Sequence, residues 1–225
     1  MAITSDGKIA TANRAVSSFS SAHDRQHLLQ LRATADAVMC GARTADLNRI
    51  TLGPGGAKFR RLRVRRGLAE FNLRIIVSGS GSLDPRAHVF TKRISPLVVL
   101  TTARAPTTKL KKLRTAADEV RICGRREIDW PSTLRWLRAK RNVKRLLSEG
   151  GGELNDALFR AGLVDEIHLT LCPKVFAGRN APTISDGLGA SLADAARFTL
   201  KSATRVKDEL FLVFAARRGT ADERA

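Results

Sequence analysis

A chain of 225 residues, 43% of them hydrophobic, is long enough to bury one well-packed core and short for two. It has no apolar run near the roughly 20 residues that cross a bilayer and no basic-then-apolar leader, so a cytoplasmic protein is expected, with a single domain over residues 1–216 and a polar tail over 217–225. Forty Lys and Arg against 21 Asp and Glu give a net charge of +19, yet Tyr is absent and aromatics are only 5%; stacking platforms for single-stranded nucleic acid are scarce, and a small phosphorylated anion is the better-fitting partner.

Residues 20–34 repeat apolar side chains at Leu28, Leu29 and Leu31, and Ser20 or Ser21 can cap the first turn, so this segment reads as a helix. Residues 35–40 read as a short buried strand that stops at Gly41. The breaker Gly53-Pro54-Gly55-Gly56 precedes a basic surface helix over residues 58–70, whose cations, from Lys58 to Arg66, are expected to be solvated. Apolar runs at 73–77 and 97–101 read as strands of the kind buried inside a sheet. Residues 120–123 give another strand, Pro131 suits the first turn of a helix over 132–140, and residues 143–148 return to the sheet. A helix over 153–161 is closed by Gly162, where a left-handed residue is commonly needed. Strands follow at 166–172, 198–205 and 210–216, the last two separated only by residues 206–209. Alternating strand and helix, then two strands in succession, predict an α/β fold: a mostly parallel sheet flanked by helices, with a C-terminal antiparallel hairpin.

The stretch Ser148-Glu149-Gly150-Gly151-Gly152 lies at a strand-to-helix turn. Glycines there let backbone N–H groups approach a ligand with no Cβ in the way, and the helix that follows directs its positive end to the same spot. Glu149 falls at the carboxyl end of its strand, where open α/β sheets collect ligand chemistry. The same pattern also fits a plain tight connection with a solvated glutamate at its mouth, and the local residues leave both readings open. Gly79-Ser80-Gly81-Ser82 lacks the third glycine of a dinucleotide fingerprint, and Leu83-Asp84-Pro85 is poor material for opening a helix, so a Rossmann reading is rejected. Cys40, Cys123 and Cys172 are far apart, and His23 and His27 have no Glu between them, so no metal site is expected.

Three motifs in order resemble one known family. They are Thr4-Ser5-Asp6-Gly7-Lys8-Ile9-Ala10, then Asp36-Ala37-Val38-Met39-Cys40-Gly41-Ala42-Arg43-Thr44, then Ser148 to Gly152 continuing through Leu163-Val164-Asp165-Glu166 to Pro173-Lys174. Together they resemble the reductase domain of riboflavin biosynthesis, which has the dihydrofolate reductase-like fold, over nearly the whole chain and with no deaminase domain ahead of it. The resemblance implies an NADPH-dependent oxidoreductase, working as a homodimer, that reduces the ribosyl group of a 5-amino-6-(5-phosphoribosylamino)pyrimidine to the ribitylamino form. It places cofactor contacts on Ala2, Thr44, Asn48, Ser78, Gly79 and the turn made by Gly150, Gly151, Gly152, Glu153 and Leu154. Lys8 and Glu149 match its catalytic positions; Ser17, Arg32 and Glu149 match substrate contacts, Arg32 that of the phosphate. Three departures stand out. Asn48-Arg49-Ile50 replaces an acidic pair and a proline, Val16-Ser17-Ser18 replaces a Ser-x-Trp, and only Met1 to Thr4 precede Ser5 where the family has a longer first strand. Two other readings stay open: a reductase of the same fold acting on a pterin or another small carbonyl or imine, and a non-enzymatic basic protein associated with nucleic acid.

Overall fold

The computed structural model describes residues 1–14, 19–47 and 49–217. Its elements run β1 (Ala2–Thr4), α1 (Ala22–Arg32), β2 (Ala37–Gly41), α2 (Ala42–Leu47), α3 (Ala57–Arg65), β3 (Leu73–Val77), α4 (His88–Thr91), β4 (Leu97–Thr101), α5 (Thr107–Ala116), β5 (Glu119–Ile122), α6 (Trp130–Arg141), β6 (Leu146–Ser148), α7 (Gly152–Arg160), β7 (Glu166–Cys172), β8 (Phe198–Val206) and β9 (Glu209–Ala216). They divide between two compact units, one of residues 25–154 and the other of residues 1–24 with 155–225.

The first unit is built on a five-stranded, wholly parallel sheet in the order β5-β4-β3-β2-β6. Parallel sheets bury both faces, and β4 accordingly has all five of its residues buried. Val38 and Cys40 of β2, Ile76 of β3, Leu97 and Val99 of β4, Phe90 of α4 and Leu113 of α5 form one apolar core. α6 starts on Asp129, whose carboxylate accepts from the Ser132 N–H at 3.0 Å, and it stops at Asn142 in the left-handed conformation.

The basic helix departs from expectation. It ends at Arg65, and its cations are not all solvated: Arg63 is 1% exposed while its neighbour Val64 is 58% exposed. Arg63 shares an inward face with Phe59, four residues earlier. Its guanidinium donates to the main-chain oxygens of Ala69, Arg32 and Ala35 at 2.8, 2.8 and 2.5 Å, closing the carboxyl end of α1. At the second position of β3, Arg74 is buried in the same manner, donating to the carbonyls of Val89, Lys92 and Ser95. Burial pulls both guanidinium groups below the usual arginine range, with Asp36 and Asp118 respectively acting against it.

The second unit carries a four-stranded sheet in the order β1-β7-β9-β8. β1 pairs in parallel with β7, Ala2 opposite Thr170, and the expected hairpin of β8 and β9 turns at Lys207, whose φ is +56°. The start of α1 is tied to this sheet. Ser21 caps the helix, its Oγ accepting from the Asp24 N–H at 3.1 Å, and buried Glu209 accepts from the Ser21 N–H and Oγ at 2.8 and 2.5 Å.

Candidate active site

In the parallel sheet β2 is flanked by β3 on one side and β6 on the other, so the chain runs outward through β3, β4 and β5 and then returns across β2 to place β6. Strand order reverses at that point, and such a reversal opens a crevice outside the carboxyl ends of the two strands concerned. The glycine turn lies there. The Gly41 N–H, at the end of β2, donates to Gly150 O at 2.9 Å. Gly150 and Gly151 both take left-handed backbone angles, φ +84° and +99°, which side chains other than glycine adopt at a cost. A Cβ on Gly151 would lie 3.5 Å from Thr44 Oγ1 and 3.9 Å from Gly41 Cα. A methyl there would therefore fill the space that the turn keeps open beside α2.

α7 begins at Gly152 immediately after the turn, and its first N–H groups form the electropositive end of a nine-residue helix. Leu154 is buried, so its own contribution to a ligand is its main chain; Glu153 is exposed, with Arg43 3.5 Å away. Ser78 and Gly79 follow β3, the neighbour of β2. The Ser78 N–H donates to Leu100 O at 2.9 Å, and Gly79 O accepts from Thr102 Oγ1 at 2.6 Å, which fixes the backbone at this corner.

Glu149 extends β6 by one residue, its N–H donating to Met39 O at 2.8 Å. Its carboxylate is gripped side-on by Arg32, Nε to Oε1 at 2.5 Å and Nη2 to Oε2 at 2.6 Å, both side chains only 10% exposed. The third nitrogen of Arg32, Nη1, donates to Gly53 O at 2.8 Å. Burial alone would depress the guanidinium, but the Glu149 charge and its hydrogen bonds outweigh that and hold it above the usual arginine range. Cys40, on β2, is pushed above the ordinary thiol range by its own burial and then by the Glu149 charge.

Lys8 and Ala2 belong to the other unit. Lys8 closes a tight turn: the Thr4 N–H donates to Lys8 O at 2.9 Å, the Lys8 N–H to Thr4 Oγ1 at 2.9 Å, and Gly7 has φ +78°. Lys8 Nζ donates to Ala181 O at 3.2 Å, and Lys8 bridges Thr183 as an isolated pair. Asp6 braces the turn by accepting from Thr4 Oγ1 at 2.5 Å and from the N–H groups of Phe176 and Ala177. The Thr4 hydroxyl in particular holds its carboxyl below the usual carboxylate range.

The structure thus brings Thr44, Gly150, Gly151, Gly152 and Leu154 together around one turn and joins Arg32 to Glu149, residues that the sequence reading gave separate tasks. Ser17 and Asn48 lie outside the described residues. The pairing across 117 positions was not read from the sequence, and no local spacing encodes it. Among the described residues no group of three or more His, Cys, Asp or Glu could hold a metal ion, and no helix is long and apolar enough to cross a membrane.

Comparison with known proteins covers the whole of this arrangement. The family profile described as the RibD C-terminal domain matches residues 1–212. The 2,5-diamino-6-ribosylamino-4(3H)-pyrimidinone 5′-phosphate reductase of Methanothermobacter thermautotrophicus is 32% identical over 216 residues, 95% of this chain and 94% of its own length. The reductase of the same name from Archaeoglobus fulgidus is 32% identical over 189 residues, 83% of this chain and 84% of its own. Among solved structures, a pyrimidine reductase-like protein from Corynebacterium diphtheriae superposes with a TM-score of 0.77 at 21% identity, over 97% of this chain and 90% of that one. RibD from Acinetobacter baumannii gives 0.73 at 19% identity over 96% of this chain. The chain spans only 56% of that RibD. These likenesses establish the fold.

Proposed function

The chain belongs to the family of the RibD C-terminal domain, and from that premise we propose that it is an oxidoreductase of riboflavin biosynthesis, reducing the ribosyl group of a phosphoribosylamino-pyrimidine to the ribitylamino form. The substrate proposed is the 2,5-diamino-4(3H)-pyrimidinone form, because the two reductases, matched over 94% and 84% of their own lengths, carry that name. What carries the reading within the molecule is the Gly150-Gly151 turn, two left-handed residues at the strand-order reversal with the start of α7 behind them.

A nicotinamide dinucleotide fits that turn, since a phosphate needs the space that a Cβ on Gly151 would occupy. We assign its phosphates to the main chain of Gly150 to Leu154, with Thr44, Ser78 and Gly79 as further contacts and Ala2 bordering the nicotinamide. NADPH is proposed over NADH because a further phosphate suits a chain of net charge +19. When bound, the nicotinamide supplies hydride to C1′ of the opened ribose. Lys8 is proposed to hydrogen-bond the ribose ring oxygen, which favours opening by placing a cation where negative charge develops. Glu149, held side-on by Arg32, is proposed to accept from substrate hydroxyls and orient them.

Residues 1–216 are read as a single reductase domain because one family profile runs unbroken from residue 1 to 212. A homodimer in the cytoplasm completes the proposal. The test is purified protein with NADPH and the phosphoribosylamino-diaminopyrimidinone, followed at the nicotinamide absorbance band. Oxidation dependent on that substrate, and absent with dihydrofolate, is expected; the absence of both turnover and binding would reject the reading.

A further inference from the structure

The excess positive charge is not spread over the chain. Residues 25–154 hold 28 Lys and Arg against 10 Asp and Glu, whereas the remaining residues hold 12 against 11. Within the first unit it gathers where α5, β5 and α6 lie: residues 104–145 carry 14 Lys and Arg and four Asp and Glu. Three of those acids are spent locally. Asp118 accepts from the Leu97 N–H at 2.7 Å, Asp129 caps α6, and Glu119 pairs with Arg141.

A helix face that is merely solvated interleaves both signs, because like charges three or four positions apart repel. α5 and α6 contain no Asp or Glu at all. On α6, Arg135 and Arg138 are three apart and both exposed. Arg125 and Arg126 precede the helix, against the positive end of its dipole, and Lys140 and Lys144 stand exposed at its other end. These cations lie apart from the glycine turn. α6 packs on β5, Arg121 lying over Trp136 at 4.1 Å, and β5 is the sheet edge three strand positions from β2. Lys144, whose N–H donates to Asp36 just ahead of β2, is at the amino ends of the strands, opposite the crevice.

We propose that the outer face of α6 docks the phosphate backbone of duplex DNA, a function separate from the reductase site. The cations follow a helix of roughly 18 Å, too long for one small phosphate and matched to a polymer with one charge per about 1.7 Å. Trp130 is buried and Trp136 lies beneath Arg121, so α6 offers no ring on which unpaired bases could stack. It exposes no large apolar side chain to anchor in lipid. A helix with its side chains fits the B-form major groove, about 12 Å wide, and not the narrow one of A-form RNA.

The test is fluorescence anisotropy of a labelled DNA duplex of about 20 base pairs and mixed sequence, titrated with the full chain across about 0.05–0.2 M salt. The wild type should bind with a Kd on the order of 10 μM or tighter at about 0.15 M salt, and log K should fall against log salt with a slope of about −4 or steeper. Arg135→Glu with Arg138→Glu should weaken binding at least about tenfold and flatten that slope. Arg179→Glu with Arg197→Glu, the same charge change at exposed sites of the other unit, should stay within about threefold of the wild type. Should the α6 pair not fold, Arg125→Gln with Arg126→Gln, in the loop before the helix, carries the comparison, with a loss of about threefold or more expected. Equal loss in the α6 pair and the control pair would reduce the effect to net charge and overturn the proposal. Absence of binding by the wild type, tighter binding to duplex RNA, or equally tight binding to polyglutamate would overturn it too.

Discussion

Arg63 illustrates how much a single side chain can do without a carboxylate partner. Its three main-chain acceptors would be left unpaired and dry in Arg63→Leu, at about 1–3 kcal/mol for each buried acceptor. We expect a loss of roughly 3 kcal/mol or more, read as a lower urea midpoint at unchanged slope. Gly151→Val should instead act on the ligand: its φ of +99° and the nearness of Thr44 Oγ1 leave no room for a branched side chain beside a phosphate, and NADPH affinity should fall at least about tenfold in a fluorescence titration. Normal affinity in that variant would move the phosphate elsewhere. Cys172 is pushed up to about 12 from an ordinary 9.0, by burial first and then by buried Glu209 beside it. The folded state therefore keeps a proton that the unfolded chain releases, so the contribution is complete below pH 9 and is lost as pH rises from 9 towards 12. Urea midpoints should fall more steeply over that window in the wild type than in Cys172→Ala. At this scale the sequence was readable for the backbone of the turn, where Gly150 and Gly151 take the left-handed angles that glycine suits. It was not readable where neighbours of one type diverge: nothing in the run from Lys58 to Arg66 marks Arg63 as interior except its spacing of four from Phe59.

The first turn of α1 shows an element fastened by a residue distant in sequence. Ser21 supplies the cap, and Glu209, 188 positions later, holds both the N–H and the hydroxyl of that cap. Ser21→Ala removes the cap and unpairs one oxygen of a buried carboxylate, so it should cost more than the about 1 kcal/mol of an ordinary cap, and Glu209→Gln should soften the loss in a double-mutant cycle. Additive effects would mean the two do not work as one unit. Elements of this protein differ in how plainly their sequence announces them. β3 and β4 lie where their apolar runs predicted, because a strand buried inside a sheet needs little else to define it, and β7 has its expected bounds. α5 is marked by only two apolar residues, Leu110 and Leu113, three apart and both buried, within a Lys-rich run too short in apolar spacing to show a helical period. α2 follows β2 with no intervening loop, so no turn signal announces it. β1 has three residues, too few to show a period.

Across the whole molecule, a charge of +19 should steer anionic ligands from a distance. Raising ionic strength from about 0.01 to about 0.1 M shortens the screening length from about 30 to about 10 Å, and kcat/KM for the phosphorylated substrate should fall several-fold while kcat holds. A salt-independent kcat/KM would show that the excess charge serves something other than capture. The α/β class was legible because strand and helix alternate in sequence. The division of nine strands, among the described residues, between two separate sheets was not, since pairing partners such as Ala2 and Thr170 leave no mutual trace in either segment. That pairing also sets a timetable for the ribosome. All five strands of the parallel sheet have been synthesised once Ser148 is added, whereas β1, made before any of them, has no partner until the chain has passed Leu171. β1 therefore waits for a partner more than 160 residues away, so its pairing follows synthesis of the whole parallel sheet and cannot nucleate the fold.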